Sequence, residues 1–303
     1  MNRLIVVYNP NSTNYKTVMK KVLAETRKLK GWSVGKFEVK KIEIRENIER
    51  LRKILKDGDL VVAAGGDGTA AVGLNAIMLA KKKATYAVLG FGNFNDVAAT
   101  FRLKSLRQII EKFEKGEVEK MWPIEILVDG RNWRYATGYF TVGMFAEATE
   151  IFNKRKIRTK LKRKKRTPIF SWFSLAKWYF LNRRKRKFLP RMKINGQEIR
   201  KATDYVAVNG RKMGGALRGG DWFLKKNEFR SFRGNMKNPF NLFLFMTKGI
   251  IHKVSGKETK KDVLEFLDPA EVEIHAEGEY EKLEGVKRID VKKAERAVLI
   301  VRG

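Results

Sequence analysis

The chain contains no cysteine, which excludes disulfides, a thiolate nucleophile and cysteine-bound zinc. That absence agrees with a reducing compartment. Long apolar runs are scarce as well. The run within "MNRLIVVYNP" is too short for a signal-peptide core and closes at Asn9-Pro10, so a first strand of a cytoplasmic protein is expected there. The apolar centre from Ile169 to Leu181 would reach about 20 Å as a helix, against a hydrocarbon core roughly 30 Å thick. It is no membrane span. No internal repeat is present. Acids are the other shortage: 33 Asp and Glu face 66 Lys and Arg, a net charge of +33. Such a balance predicts attraction to polyanions, whether nucleic acid, an anionic membrane or phosphorylated ligands. Its distribution is uneven. Between Lys154 and Lys193 stand 18 basic residues and no acid.

What is present reads as two domains, since 303 residues exceed one ordinary domain. In the first third, apolar runs at Leu4–Tyr8, Leu60–Ala64 and Tyr86–Leu89 alternate with helical patterns at Tyr15–Leu29, Ile48–Leu55 and Ala70–Ala80. Strands alternating with helices predict a parallel sheet with covered faces. Ser105 followed by Gln108 resembles a capping box, and Gly116 fits a helix stop. From Met121 the period changes. Asp129-Gly130 and Asn195-Gly196 sit between strand-like runs, and "DYVAVNG", "EVEIHAEGEY" and "RAVLIVRG" add more short strands. That pattern predicts an antiparallel β-sandwich. Residues 1–121 are therefore expected to form an α/β domain and 122–295 a β-sandwich with a basic aromatic insertion at 154–193. Residues 296–303 supply a last strand that could return to the first domain.

The stretch "LVVAAGGDGTAAVG" ends an apolar strand in Gly65-Gly66-Asp67-Gly68-Thr69. Glycines let backbone N–H groups approach phosphate oxygens, and the following helix aims its N-terminus at the same place. A carboxylate there holds Mg²⁺ or accepts a proton from an attacking hydroxyl. A tight turn needing positive φ is the plainer reading. The spacing and lysine of a P-loop are missing, as is the dinucleotide fingerprint. Further stretches are "NPNST" at 9–13, "GNFND" at 92–96, "VNGRKMGGA" at 208–216 and "EGE" at 277–279. Each has an ordinary alternative: a strand-ending turn at Asn9, a helix cap at Asn95-Asp96, an exposed hairpin turn at Glu277–Glu279. His252 and His275 read as one solvated and one packed histidine.

In this order, the stretches resemble the diacylglycerol kinase catalytic family, which includes sphingosine kinases and bacterial lipid kinases. More distantly they are similar to NAD kinases and phosphofructokinases. The resemblance covers almost the whole chain. It implies an α/β nucleotide-binding domain, then a β-sandwich, with the active site in the cleft between them. It implies transfer of the γ-phosphoryl of ATP, with Mg²⁺, to a lipid hydroxyl. On it, Gly65, Gly66, Gly68 and Thr69 cradle phosphates, while Asn9 and Ser12 line the nucleotide pocket. Asn93, Asn95, Asp96 and Glu279 complete that side. Glu277 takes the place of the general base, and Asp67 serves metal or substrate. The departures are Ala71 and Val72 for an Asn-Glu pair, Gly90 for proline, Asn93 for threonine, Ala99 for arginine and Glu277 for aspartate. Lys225 and Lys226 stand where some bacterial members have an acidic turn tied to a structural Mg²⁺, so that metal site is expected to be absent.

The basic segment combines Lys162, Arg163, Lys164, Lys165 and Arg166 with Trp172 and Trp178, then Arg183, Arg184, Lys185, Arg186 and Lys187. Tryptophan between arginine runs suits an element lying on anionic lipid. Some of its aromatics also suit the core of a scaffold helix, and basic residues among aromatics suit single-stranded nucleic acid. The run Phe240–Met246 reads either as the lining of a lipid entrance or as a core strand. Three functions follow: a peripheral lipid kinase, a non-catalytic nucleotide-binding membrane sensor, and a nucleic-acid-binding protein on the same fold. Diacylglycerol, a sphingoid base, a glycolipid and a polyprenol all remain open as acceptors.

Overall fold

The computed structural model describes residues 1–12, 15–91, 95–153, 179–182, 188–215, 217–222, 227–254 and 256–303. Asn93, the cations at 162–166 and 183–187, Trp172, Trp178, Lys225 and Lys226 lie outside the described residues.

The first domain runs β1 (Asn2–Tyr8), α1 (Tyr15–Thr26), β2 (Trp32–Glu38), α2 (Ile44–Ile54), β3 (Leu60–Gly65), α3 (Asp67–Ala80), β4 (Thr85–Gly90), α4 (Asp96–Phe101), α5 (Leu106–Glu114) and β5 (Glu119–Met121). The second runs β6 (Ile124–Val128), β7 (Arg131–Ala136), β8 (Tyr139–Gly143), α6 (Met144–Asn153), β9 (Met192–Ile194), β10 (Gln197–Ile199), β11 (Asp204–Val208), β12 (Lys212–Met213), β13 (Leu217–Arg218) and β14 (Phe229–Gly234). It continues through α7 (Pro239–Ile251), β15 (Lys257–Thr259), β16 (Lys261–Ala276) and β17 (Glu279–Lys293), before β18 (Val298–Ile300).

The first sheet has the order β2-β1-β3-β4-β18-β5. It is parallel except for β5, and β18 pairs with β4 on one side and β5 on the other. Its central strands are apolar throughout because both faces are covered. Side chains alternate between those faces. Ile5, Val7, Val61, Ala63 and Val88 pack with α2, α3 and α4, while Leu4, Val6, Leu60, Val62 and Leu89 pack with α1 and α5. The register aligns Tyr8 with Ala64 and Gly65 with Gly90. The turns after β1, β3 and β4 therefore leave the sheet side by side at its carboxyl edge, where open α/β sheets bind ligands.

Strand β2 has no counterpart in the sequence reading. It is an edge strand that buries only Trp32 and Phe37, so little apolar sequence marks it. Ser105 Oγ accepts from Gln108 N at 3.1 Å and caps α5. Gln108 Oε1 reaches back to Lys104 N rather than to the cap residue.

The second sheet is antiparallel and ten-stranded, with β15-β14-β11-β8-β16-β17-β6-β7 as its main path. Strand β16 shifts register between Glu265 and Val272, around Pro269, and a bulge of this kind bends a strand. One half of β16 pairs with β9 and the other with β8. The sheet thus folds over a shared core including Trp133, Phe140, Tyr205, Phe229 and Ile274. Asp129-Gly130 and Asn195-Gly196 form the expected hairpin turns, each residue at positive φ. Phe240–Met246 is not a strand. It lies in α7, where Pro239 occupies the first turn and Asn238 Oδ1 accepts from Phe240 N at 2.9 Å. Among the described residues no helix is long and apolar enough to cross a membrane.

Asn75 ties the two sheets together. It is 1% exposed on α3, accepts from Tyr135 N at 2.8 Å and donates to Tyr135 O at 2.9 Å. Replacing Asn75 by alanine strands both groups of Tyr135, each costing about 1–3 kcal/mol when buried unpaired. Denaturant unfolding of Asn75→Ala is expected to show a loss of about 2 kcal/mol or more.

Candidate active site

Strand β3 leaves the sheet at Gly65, where a β-carbon would fall 2.5 Å from Thr69 Oγ1. Only glycine lets the Thr69 side chain fold back over the turn. Gly66 caps α3, and its carbonyl accepts from Thr69 N and Ala70 N at 3.0 and 3.1 Å. The positive end of α3 therefore lies at this turn. At the neighbouring turn, Asn9 Oδ1 accepts from Asn11 N at 2.8 Å and Asn9 O accepts from Ser12 N at 3.0 Å.

Asp67 accepts from Val97 N at 3.1 Å and from Asp96 N at 3.3 Å. It thereby holds the first turn of α4 against the glycine turn. Asp96 is 2% exposed and accepts from Gly215 N at 3.0 Å, in the β12–β13 turn of the second domain. Asn95 stands at the N-cap of α4 without a side-chain capping bond.

Glu277 arrives from the other direction, at the tip of the β16–β17 hairpin. Glu277 and Gly278 have φ of 49° and 88°, a two-residue turn of the type that joins twisted strands. It is a hairpin turn, yet Glu277 is only 1% exposed. Glu277 Oε1 accepts from Gly138 N at 2.5 Å, while Oε2 is buried with no partner among the described residues. The tip seats directly on the glycine turn. A β-carbon on Gly278 would lie 3.5 Å from Gly68 N, and one on Gly68 would lie 3.3 Å from Glu279 Oε1. The tight approach is at Gly68, while Gly278 is suited to its place by its φ of 88°.

Three further residues position that carboxylate. His275 Nε2 accepts from Gly278 N at 3.0 Å. Burial holds this imidazole down at about 3, so it stays neutral and able to accept. Asn209 Nδ2 donates to Thr137 O at 3.0 Å, and Asn209 N donates to Gly138 O at 2.7 Å. Lys293 Nζ in turn donates to Asn209 Oδ1 and Trp122 O, both at 2.6 Å. Asn209 lies in one of the sequence stretches singled out above, the one at 208–216. His275 and Lys293 carried no signal of a role, because nothing local separates a buried Lys293 from the other cations.

The structure thus brings Asp67, Asp96 and Glu277 together, with Gly68, Thr69 and Glu279 around them. Asn9 and Ser12 stand at the adjoining turn. Burial raises all three acids. Asp96 raises Asp67 and Glu277 further, and Glu277 raises Asp67. Backbone N–H groups pull the other way but do not win: Glu277 is pushed up to about 8. The cluster therefore favours a proton or a cation. No three His, Cys, Asp or Glu among the described residues are arranged to hold a metal by themselves.

A carboxyl whose proton affinity rises on folding contributes stability below its unfolded pKa and loses it as pH climbs through the folded value. For Glu277 that window runs from about 4.5 to about 8. His275, lowered on folding, acts with the opposite sign below 6.5, and Lys293, lowered to about 7, does so above 7. The raised Asp204 adds to the fall up to about 7, so the share of Glu277 is the difference between wild type and Glu277→Gln. Thermal unfolding is expected to show Glu277→Gln gaining stability relative to wild type as pH rises from about 4.5 to about 8, by at most about 1.4 kcal/mol per pH unit. The variant should be more stable than wild type at pH 8.

Residues 3–126 match the family model described as the diacylglycerol kinase catalytic domain. No curated protein matches the sequence. Among solved structures, a diacylglycerol kinase from Bacillus anthracis str. Sterne is 15% identical with a TM-score of 0.67, covering 100% of this chain and 97% of its own. Two further structures, of a candidate diacylglycerol kinase from the same strain, superpose with TM-scores of 0.68 and 0.65 at 15% and 16% identity, again over 100% of this chain and 97% of theirs. At that identity they establish the fold of both domains. Residues 3–126 are thus similar to the diacylglycerol kinase catalytic domain, and along its full length the chain has the fold of proteins solved under that name.

Proposed function

We propose that this protein is a lipid kinase that transfers the γ-phosphoryl group of ATP to a lipid hydroxyl at a membrane surface. The observation that carries the reading is the meeting of Asp67, Asp96 and Glu277 on the glycine turn, with one buried carboxylate oxygen, Glu277 Oε2, left without a partner. Phosphoryl transfer asks the protein for positioning and charge neutralisation above all. The turn from Gly65 to Thr69 and the N-terminus of α3 offer backbone donors to phosphates. Asn9, Ser12, Asn93, Asn95, Asp96 and Glu279 complete the nucleotide side in this reading.

Glu277 is the proton acceptor. Oε1 stays anchored on Gly138 N while Oε2 takes the hydroxyl proton as the hydroxyl oxygen attacks the γ-phosphorus, whose bond to the β,γ-bridging oxygen breaks and releases ADP. His275 and Asn209 keep the carboxylate from swinging away. Mg²⁺ fits such a donor set, because it is commonly held by one or two carboxylates together with substrate phosphates rather than by a cage of protein ligands. Asp67, with Asp96 beside it, would hold it, and when bound it would neutralise charge on the transferring phosphoryl group.

Labelled ATP with Mg²⁺ and a total lipid extract provides the test. One labelled lipid class is expected, and removing Mg²⁺ with a chelator should abolish labelling. Asp67→Asn should lower the rate by roughly 10²–10³, the usual effect of losing a charge-stabilising group. Only ionised Glu277 accepts a proton, so kcat/KM should rise with pH towards about 8, and Glu277→Gln should lose both that limb and most of the rate. Wild-type protein that binds ATP and labels no lipid would instead fit the non-catalytic sensor.

A further inference from the structure

Helix α7 buries one face and exposes another that is just as apolar. Phe245 and Gly249 are buried, and Leu242 and Met246 pack beside them on a second-domain core containing Tyr139, Val206, Val208, Met213 and Leu217. On the far side, Phe240 and Phe243 are 65% and 64% exposed, and Leu244, Ile250 and Ile251 are exposed with them. At 3.6 residues per turn these five side chains occupy one arc of about 120°, with Thr247 in its middle. Contiguous exposed apolar surface of this kind marks an interaction site rather than ordinary surface.

The surrounding charge says what kind. From Phe229 to Lys257 the sequence contains Arg230, Arg233, Lys237, Lys248, Lys253 and Lys257 and no acid, with Glu228 and Glu258 at its edges and Arg230 paired to Glu258 at 3.2 Å. An apolar helix face set among cations complements a surface that is apolar within and anionic outside. Exposed Phe180 and Leu181 lie in the same neighbourhood, because Tyr179 donates to the carbonyls of Met236 and Lys237 just before α7. The helix also lies close to the chemistry. Gly249 packs on Leu217 of β13, and the β12–β13 turn supplies Gly215 N to Asp96. Tyr139, in the core under α7, feels the charges of Asp96, Asp67 and Glu277.

We propose that α7 is a membrane-insertion element whose outer face, Phe240, Phe243, Leu244, Ile250 and Ile251, enters the interfacial layer of an anionic bilayer. The proposal deepens the lipid-kinase reading and rests on it for the identity of the surface. It assigns the apolar part of membrane binding to α7, leaving the cations of the 154–193 segment to supply long-range attraction. At 13 residues, a helix lying in the interface buries one face and needs no span.

Because the chain lacks cysteine, Phe243→Cys accepts a single polarity-sensitive fluorophore, and Ile54→Cys on α2, 46% exposed, serves as the control site. With vesicles of phosphatidylcholine and phosphatidylglycerol, the label at 243 should shift to the blue and be quenched by bromine on the acyl chains. The label at 54 should do neither, and pure phosphatidylcholine vesicles should produce a much smaller response. The double variant Phe240→Ser with Phe243→Ser should partition onto anionic vesicles about 100-fold more weakly, roughly tenfold per phenylalanine removed from the apolar layer. Its thermal unfolding and its labelling of detergent-dispersed lipid extract should match wild type. A label at 243 that stays aqueous while the protein sediments with anionic vesicles overturns the proposal and leaves the kinase reading standing. Shielding of that label without vesicles, with a doubled solution mass, assigns the face to a second copy and also overturns it. Insertion at 243 in a protein that phosphorylates no lipid upholds the membrane element and removes the kinase reading.

Discussion

Seating the β16–β17 hairpin tip on the glycine turn forces three carboxylates out of water at one place. Gly278 against Gly68 closes the contact, and Asp96 then raises the proton affinity of Asp67 and Glu277, and Glu277 that of Asp67, in addition to their burial. Such an arrangement persists only because backbone N–H groups are aimed at it. Those donors come from α4, from the β12–β13 turn and from the Thr137–Gly138 turn. The cluster therefore exists only once both sheets have assembled. Asn75, buried and bonded across the junction, holds that assembly in register.

The desolvation that makes these acids unfavourable for stability is also what makes them useful. In water a carboxylate is a poor base and a weakly held cation ligand. Among buried neighbours, Glu277 is raised to about 8, close to the range in which a group both accepts and releases protons readily. The neutral His275 contributes by staying uncharged. A charged imidazole would have no lone pair at Nε2 for Gly278 N, and the hairpin tip would lose one of its restraints.

The second domain then links this buried polar centre to an apolar exterior through a thin layer. Tyr139, Val208, Met213 and Leu217 separate the carboxylates from α7, and methionine adapts well to irregular packing. A core so placed packs α7 against β13, next to the turn whose Gly215 N donates to Asp96. The excess of cations is a property of the whole chain, but the exposed apolar face is local.

Local chemistry was legible in the sequence. Asp129-Gly130 and Asn195-Gly196 turn where such pairs turn, Ser105 caps α5, and the alternation of strands and helices specifies a covered parallel sheet followed by antiparallel strands. Each of these depends on residues a few positions apart. Strand β2 escaped notice because an edge strand needs few apolar residues, and Phe240–Met246 was ambiguous because a short apolar run has no period of its own. Glu277-Gly278 shows the limit most clearly. Its two residues determine a hairpin turn, but its burial is decided by Gly68 and Gly138, more than a hundred residues away in the chain. The same holds for Asn209 and Lys293, whose roles arise from partners distant in the chain. By itself the sequence determined turns, caps, the fold class and the charge. Tertiary structure alone decided which acids lose water and which apolar face keeps it, because desolvation is set by whatever packs against a group and not by its neighbours along the chain.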